Sequence, residues 1–231
     1  MTATLTIVRY PRWAVPFAVF SMAVFRLPLW LHKNIGFWKL MGSGKNGTFD
    51  KTPDWRQWAI MAVHKKTVAD SLNDSDANTF LQNNLGSFIP FYWRLFQCQT
   101  TTYILQPIEG HGLWDGKEVF GKLPKQTDYE GQIAILTRAT IRLKKLKSFW
   151  ANVDGVANRM AGAPGFVTSY GIGEMPLVKQ ATFSIWQSKK HMKDFAYTMK
   201  EHAEVVRKTH QEKWYSEDMF VRFKVLGVFK T

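Results

Sequence analysis

Cysteine is nearly absent from this sequence of 231 residues, which contains only Cys98. A single cysteine excludes an intrachain disulfide framework and any zinc site that needs several thiolates. It also indicates a reducing compartment. The six histidines form no H-E-x-x-H pair or similar metal motif. No Ser/His/Asp set, paired-carboxylate motif or phosphate loop stands out either. The chain therefore offers few groups that could carry out chemistry unaided.

Negative charge is also scarce, because 31 Lys and Arg residues face only 18 Asp and Glu residues, for a net charge of +13. Aromatic residues make up 15% of the chain, and ten of them are tryptophan. This composition is typical of nucleic-acid-binding or membrane-surface proteins, although a basic solvated surface also fits it. No helix-turn-helix, zinc-finger or aromatic RNA-binding signature is present. We therefore expect no nucleic-acid partner, while a membrane surface and a basic solvated surface both stay open.

One apolar run, residues 13–31, is close to the length of a membrane span. Arg26 lies inside the run and Pro28 would break its last turn, and both argue against a span. The segment has no basic n-region and no clear cleavage site, so it does not read as a standard signal peptide. We predict a buried or membrane-leaning helix, and a true span stays open.

An internal duplication organises the chain. Gly36-Phe37 is followed six residues on by Gly42, and Gly165-Phe166 is followed six residues on by Gly171. The second set lies 129 residues after the first, so two copies of one unit are expected. We expect the glycines of the two Gly-x-Gly stretches, at 42–44 and 171–173, to form turns with positive φ between adjacent strands.

Hydrophobic periodicity predicts the same order of elements in both copies. In the first copy, strands are predicted at 5–10, 37–41, 57–64 and 101–107, with helices at 13–31 and within 67–96. In the second, strands are predicted at 133–141, 166–171, 181–187 and 219–229, with helices at 146–160 and 191–213. The order β-α-β-β-α-β is that of the ferredoxin-like unit.

The predicted fold class is α+β, with two fused ferredoxin-like βαββαβ units that form a dimeric-α+β-barrel-like domain. Residues 1–108 are the first repeat, residues 131–231 are the second, and residues 109–130, rich in Gly, Lys and Asp, are the linker.

His202 is the best-placed histidine. On the last helix it shares one face, expected to pack on the sheet, with Phe195, Met199, Val206 and Thr209. A histidine there is either a hydrogen-bonded core residue or a single axial ligand to a haem iron, which needs no second ligand at a fixed spacing. The pattern leaves both readings open.

Arg138 lies on the predicted strand 133–141, on the face opposite Ile135 and Ile141. A strand arginine in a barrel can clamp a carboxylate, such as a haem propionate, through its bidentate fork, or it can face water. His32 and His64 fall at the ends of elements, where we expect surface positions.

Several segments together resemble the spheroidene monooxygenase family of carotenoid-modifying enzymes. The resemblance covers the chain from about Phe25 onward. The segments are GFWKLMGSG (36–44), PD (53–54), GLWDG (112–116), AILTRATIR (134–142), FW (149–150), APGF (163–166), GIGEMPL (171–177), TFSIW (182–186), FAY (195–197), HAEVVRKT (202–209), WYSE (214–217) and FVRF (220–223).

The resemblance implies a monooxygenase that uses haem b and O₂ and takes electrons from a ferredoxin-type donor. It would hydroxylate an acyclic carotenoid near its end and oxidise the same carbon again to a ketone. His202 matches the family's histidine on the last helix and is carried over as the iron ligand. Arg138, Tyr197, Arg207 and Trp214 match family positions that could line the haem pocket.

Because a carotenoid is held in the membrane, the resemblance also implies a cytoplasmic enzyme that is peripheral to the inner face of a membrane. Two rival hypotheses stay open. One is a cofactor-free ferredoxin-like monooxygenase or isomerase, and the other is a non-enzymatic haem- or lipid-binding module.

Overall fold

The protein has a mixed α+β fold, which confirms the predicted class. The computed structural model describes residues 1–45, 50–68, 76–153, 160–198 and 212–231, without the side chains of residues 152–153 and 197–198. Eight strands form a closed antiparallel barrel in the order β1-β3-β2-β6-β7-β5-β8-β4. The strands are β1 Thr2–Arg9, β2 Ile35–Gly44, β3 Pro53–His64, β4 Gln99–Gly112, β5 Ile133–Ile141, β6 Phe166–Met175, β7 Lys179–Trp186 and β8 Tyr215–Lys230.

Helices occupy the predicted helical positions between these strands. They are a 3-10 helix at Arg12–Ala14, then α1 Val15–Val24, α2 Arg26–Leu31, α3 Ala77–Leu85, α4 Phe88–Leu95, a 3-10 helix at Leu143–Lys145, α5 Leu146–Val153 and α6 Lys189–Thr198. The elements thus follow the order β-α-β-β-α-β twice along the chain. The strand order is β4-β1-β3-β2 for the first half and β8-β5-β7-β6 for the second.

The chain divides into two units. The first consists of residues 1–43, 54–107 and 225–231, and the second of residues 44–53 and 108–224. In the first unit, one face of the sheet is covered by the helices, and the shared core includes Val8, Tyr10, Phe25, Leu85 and Trp93. In the second unit, side chains from α6 pack with those of β5 and β7, as Met192 does with Ile133 and Trp186.

The apolar run near the N-terminus is helical, as predicted, and it is broken at Phe25. Pro28 lacks the N–H that would bond to the carbonyl of Val24, so α1 ends at Val24 and α2 begins at Arg26. By length and composition alone the segment Arg12–Leu31 could cross a membrane, with a mean hydropathy of 1.7. A stripe at helical spacing nevertheless packs into the core of the first unit: Ala14, Ala18, Ser21, Phe25 and Leu29.

The predicted helix within 67–96 proves to be two helices, α3 and α4. Asp76 caps the first helix, because its carboxylate accepts hydrogen bonds from the backbone N–H groups of Asn78 and Thr79. Gly86 ends that helix with a φ of 79°, a left-handed conformation that glycine adopts readily. The chain then restarts as α4.

The expectation for the Gly-x-Gly stretches was wrong. Gly42 and Gly44 lie within β2, Gly171 and Gly173 lie within β6, and none of these four described residues has a positive φ. At Gly173 the reason for glycine is space, since a Cβ atom would stand 2.8 Å from the carbonyl oxygen of Lys179 on the neighbouring strand.

Residues 109–130, predicted as a linker, belong to the second unit. Strand β4 continues to Gly112, and the side chains of Glu109, Trp114 and Phe120 are buried. The Gly, Lys and Asp content of the segment suits its turns, while the two aromatic side chains hold it against the unit. Phe120, for example, packs edge-on against Phe223 at 5.1 Å between ring centroids.

His64 is not a surface residue, contrary to the expectation. It is the last residue of β3, where it pairs with Thr2 of β1, and its side chain is 1% exposed. Its Nε2 atom lies 3.0 Å from Oγ1 of Thr4, and its Nδ1 atom finds no hydrogen-bond partner among the residues that the structure describes. Burial, helped by the nearby His32, lowers the pKa of His64 to about 4, so the ring is neutral at neutral pH.

Candidate functional site

Arg138 lies near the middle of β5 and is buried, with 1% of its surface exposed. It pairs with Ala181 of β7 and with Met219 of β8. Alternation along the strand places it on the face opposite Ile135 and Ile141, which pack with the helices of the second unit. The predicted face is therefore observed, and of the two readings the side chain clamps carboxylates rather than facing water.

Three carboxylates of the second unit surround the Arg138 guanidinium. Its Nε lies 3.3 Å from Oε1 of Glu174, its Nη2 lies 3.3 Å from Oδ1 of Asp115, and its Nη1 bonds to Oε1 of Glu217. Lys179 adds a second cation, with its Nζ 2.7 Å from Asp115. We name these five residues the Arg138 cluster. Three carboxylates thus face two cations, so the cluster carries one excess negative charge, with Arg138 buried at its centre and Asp115 and Lys179 about a third exposed at its edge.

A two-residue turn positions part of this cluster. Trp114 and Lys117 pair as an isolated antiparallel bridge around Asp115 and Gly116, whose φ angles are 51° and 73°. Positive φ at both central positions is the requirement of a type I′ turn, for which Asp-Gly is a favoured sequence. The backbone N–H groups of both turn residues donate to the Glu217 carboxylate, at 3.0 and 2.7 Å. The turn and the cluster therefore stabilise each other.

Trp114 adds an aromatic wall to the cluster. Its ring is buried, and the Arg138 guanidinium carbon lies 5.4 Å from the ring centroid in a cation–π contact. Its indole N–H donates to Oε1 of Glu174 at 2.7 Å. One glutamate oxygen is thus shared by Trp114 and Arg138, which fixes the position of the carboxylate.

The charge state of Glu217 follows from these contacts. Partial burial raises its pKa, but the N–H groups of Gly116 and Asp115 and the charge of Arg138 outweigh that effect, so the net pKa is lowered. Glu217 is therefore ionised at neutral pH, where it accepts hydrogen bonds and does not serve as a proton donor.

The cluster joins segments that are far apart in the sequence. Its acidic residues were not singled out by the sequence, yet they lie in three of the segments that carry the family resemblance: 112–116, 171–177 and 214–217. Arg138 lies in a fourth segment, 134–142. These four segments therefore contribute side chains to one site. In the sequence, the signal that linked them was the family resemblance.

Trp214 lies on the other side of the sheet from Arg138. It is 1% exposed and packs with Ile141, Phe149 and Trp150, with 6.4 Å between its ring centroid and that of Phe149. Its indole N–H donates to Glu212 at 2.9 Å. Because β5 separates the two groups, the structure does not bring Arg138 and Trp214 into one pocket.

The remaining predicted site residues lie in the sequence stretch for which the helix 191–213 is predicted. The backbone of Tyr197 lies in α6, its side chain is not described, and His202 and Arg207 lie outside the described residues. Phe195, the first residue of the predicted stripe, does face the sheet, with its ring 5.2 Å from that of Trp186. The stripe is thus observed at its first position.

A second buried charge cluster anchors the start of α6. Glu109 is 1% exposed and accepts from Nζ of Lys189 at 2.8 Å, while its other oxygen bonds to Arg222. Lys189 also donates to the carbonyl of Thr127 at 2.7 Å. Sequence patterns gave no sign of this cluster, which fixes α6 to the end of β4 and to β8.

Cys98 is a poor candidate for chemistry. It lies in the first unit, and burial raises the pKa of its thiol to about 12. A thiol is therefore present at neutral pH, rather than the thiolate that binds metals. In the part of the chain that the structure describes, no group of three or more His, Cys, Asp or Glu residues could hold a metal ion.

No protein-family model matches the chain. Three curated relatives do, and each is named spheroidene monooxygenase. The relative from Rhodobacter capsulatus is 33% identical over 229 residues, which cover 97% of this chain and 90% of the relative. The relative from Cereibacter sphaeroides is 32% identical over 98% of this chain and 67% of its own length. The relative from Rubrivivax gelatinosus is 35% identical over 83% of this chain and 69% of its own length.

The chain belongs to the spheroidene monooxygenase family. This confirms the resemblance and shows that the protein is an enzyme, an oxidoreductase of the monooxygenase kind. Solved structures of other proteins share the fold. Aldoxime dehydratase OxdRE in complex with butyraldoxime superposes with a TM-score of 0.63 at 9% identity, over 97% of this chain and 79% of that one. A second aldoxime dehydratase gives 0.60 at 9% identity, over 97% and 80%. At that identity the likeness concerns the fold alone.

The described residues fit a haem in part. Aromatic side chains pack against the sheet in two separate clusters, one with α6 and one with α5, which would suit a flat apolar group, and Trp214 belongs to the cluster with α5. The guanidinium of Arg138 is already engaged by three carboxylates on the opposite face, so a haem propionate would have to displace at least one of them. His202, the expected axial ligand, lies outside the described residues.

Proposed function

We propose that the protein is a haem-dependent monooxygenase that oxidises an acyclic carotenoid, such as spheroidene, or a similar apolar compound. The observation that carries the proposal is the identity of 33% with the Rhodobacter capsulatus spheroidene monooxygenase over 97% of the chain. Hydroxylation of a carbon converts R–H, O₂, two electrons and two protons into R–OH and water. The electrons would come from a reduced ferredoxin-type donor. A second hydroxylation of the same carbon, which consumes another O₂, two electrons and two protons, gives a geminal diol that loses water to form the ketone.

Haem b is the proposed cofactor. Polar side chains do not activate O₂ for attack on a hydrocarbon, and a bound haem would supply that activation. His202 is the proposed axial ligand, and it rests on the family resemblance. Phe195 supports this assignment, because it is the first residue of the stripe predicted to contain His202 and its ring contacts the sheet.

The chain's own residues would then bind and orient the flat group. We assign Trp214 to its apolar surroundings and Tyr197 and Arg207 to its edge. Arg138, which the resemblance assigns to the haem pocket, would bind a propionate only by giving up one of its carboxylate partners on the other face of β5. The buried pair of Lys189 and Glu109 would hold the start of the helix that leads towards His202.

We also propose that the two halves, residues 1–108 and 131–231, are copies of one ferredoxin-like unit. The proposal is supported by the repeated glycine spacing at an offset of 129 residues and by the equal strand orders of the two halves. The haem site would belong to the second copy. An apolar substrate dissolves in lipid, so the enzyme would work at the inner face of a membrane.

The visible spectrum of the full-length protein, produced with adequate haem supply, tests the cofactor. We expect an intense Soret band, which His202→Ala abolishes or shifts, whereas the matched variant His210→Ala leaves it unchanged. Absence of the band from the parent protein would contradict haem dependence and favour a cofactor-free monooxygenase or isomerase. A band without carotenoid turnover in the presence of reductant and O₂ would instead favour a haem-binding module.

A further inference from the structure

The first unit carries an exposed apolar face on α1, α2 and α4 and on the 3-10 helix that precedes α1. We define this apolar face by six large side chains that are between 51% and 73% exposed: Trp13, Phe20, Leu27, Trp30, Phe91 and Leu95. Single exposed apolar residues are common, but a contiguous group of this size on one surface marks an interaction site. Something other than water is therefore expected to cover it.

The face is firmly attached to the rest of the unit. Phe25, from the opposite side of the same helical segment, is buried and makes edge-on contacts with Tyr92 and Trp93 of α4. Phe17 stacks on Phe96 at 4.3 Å, and its carbonyl accepts a hydrogen bond from the Tyr92 hydroxyl at 2.8 Å. The helices are thus held side by side, and their outer apolar side chains form one surface.

The helices that carry the face bear only positive charges. Residues 1–49 and 77–108, which contain the three helices, include no Asp or Glu. Arg12, Arg26 and Arg94 lie on or beside these helices and are exposed. Exposed aromatic side chains with cations on the same helices match an anionic bilayer surface, where rings enter the interface and cations meet lipid phosphates.

We propose that the apolar face docks the protein flat on an anionic lipid bilayer. This docking proposal extends the membrane location given in the proposed function, because it names the surface and its orientation. It rests on the proposed function only in taking the membrane as the source of the substrate. The helices lie in the plane of the interface and do not cross the bilayer, because a span would pull Phe25 and Leu29 out of the core in which they are buried. A second copy of the chain is a poorer occupant, since a symmetric pairing of this face would bring the same three arginines together.

Vesicle flotation tests the docking with the full-length protein. We expect it to float with vesicles of phosphatidylcholine and phosphatidylglycerol, to float less with phosphatidylcholine alone, and to be released by high salt or alkaline carbonate. Phe20→Ser combined with Trp30→Ser is expected to lower binding by about tenfold or more. Arg26→Gln combined with Arg94→Gln is expected to lower it by roughly fivefold for each charge.

The matched control replaces two equally exposed apolar residues away from the face, Leu143→Ser with Met175→Ser, and is expected to bind like the parent. Equal binding by parent and Phe20/Trp30 variant would overturn the proposal. Retention after carbonate would overturn the in-plane orientation. A parent dimer that becomes monomeric in the Phe20/Trp30 variant, with no flotation of either, would assign the face to a second copy.

Turnover of detergent-dispersed carotenoid distinguishes the docking proposal from the proposed function. A parent that floats but shows no turnover contradicts the proposed function alone, and turnover without flotation contradicts the docking alone.

Discussion

Replacing Glu109 with glutamine removes the single carboxylate that joins Lys189 and Arg222 in the second unit. The carboxylate is 1% exposed, the Lys189 side chain is 8% exposed and the Arg222 side chain is 16% exposed, so water cannot take over its role. A glutamine of the same shape keeps one acceptor but leaves two buried cations without a counter-charge. Breaking a buried ion pair in this way costs about 3–5 kcal/mol of the free energy of unfolding.

Urea unfolding of the parent and of Glu109→Gln measures this loss. The matched control is Asp194→Asn, which breaks an exposed pair with Lys190 and is expected to leave the unfolding midpoint unchanged. Adding Lys189→Met to Glu109→Gln should cost less than the sum of the two single variants, because each alone strands the other's charge. A loss below about 1 kcal/mol for Glu109→Gln would refute the reasoning.

Three further predictions concern stability. The pKa of His64 is about 4 in the folded protein and 6.5 in the unfolded chain. The free energy of unfolding is therefore not reduced by His64 above pH 6.5, and it falls as the pH drops from 6.5 towards 4. His64→Gln should remove about 2 kcal/mol of the loss seen between about pH 7 and pH 5. Gly112→Ala should cost more than Gly116→Ala, since both have positive φ but only at Gly112 would a Cβ meet the backbone of a neighbouring strand. Arg138→Gln should cost about 3–5 kcal/mol at neutral pH and less in mild acid, where the stranded carboxylates can protonate.

Each of these is read from urea unfolding. An unchanged pH profile in His64→Gln would contradict the buried neutral ring. Equal losses at Gly112 and Gly116 would mean that the left-handed backbone alone, worth about 1–2 kcal/mol, accounts for both, with no added steric cost. A loss for Arg138→Gln that does not change with pH would contradict the view that Arg138 compensates the three carboxylates.

Local patterns in the sequence predicted the elements of this fold well. Strand β5 has the predicted bounds, Ile133–Ile141, because alternation and β-branched residues mark it directly. The face of Arg138 followed from the same alternation. The two Gly-x-Gly stretches were misplaced, since composition does not distinguish a glycine that a turn needs from one that admits a neighbouring backbone.

The candidate site was predicted only in part. Arg138 meets its acidic partners at separations of 23, 36 and 79 residues, and Glu109 meets Lys189 and Arg222 at separations of 80 and 113. Periodicity assigns a side chain to a face but does not pair it with a partner from a distant strand. The burial of His64 was not predicted for the same reason, because the residues that cover the end of β3 come from elsewhere in the chain.

The source of the oxygen in the product tests the central claim most directly. The full-length protein would be given a carotenoid such as spheroidene, reduced ferredoxin and ¹⁸O₂, and the product analysed by mass spectrometry. The proposed function predicts one ¹⁸O atom in the hydroxylated carotenoid, dependent on the reductant and lost in His202→Ala. A product that carries oxygen from water only, or carotenoid binding without any oxygenated product, would contradict it.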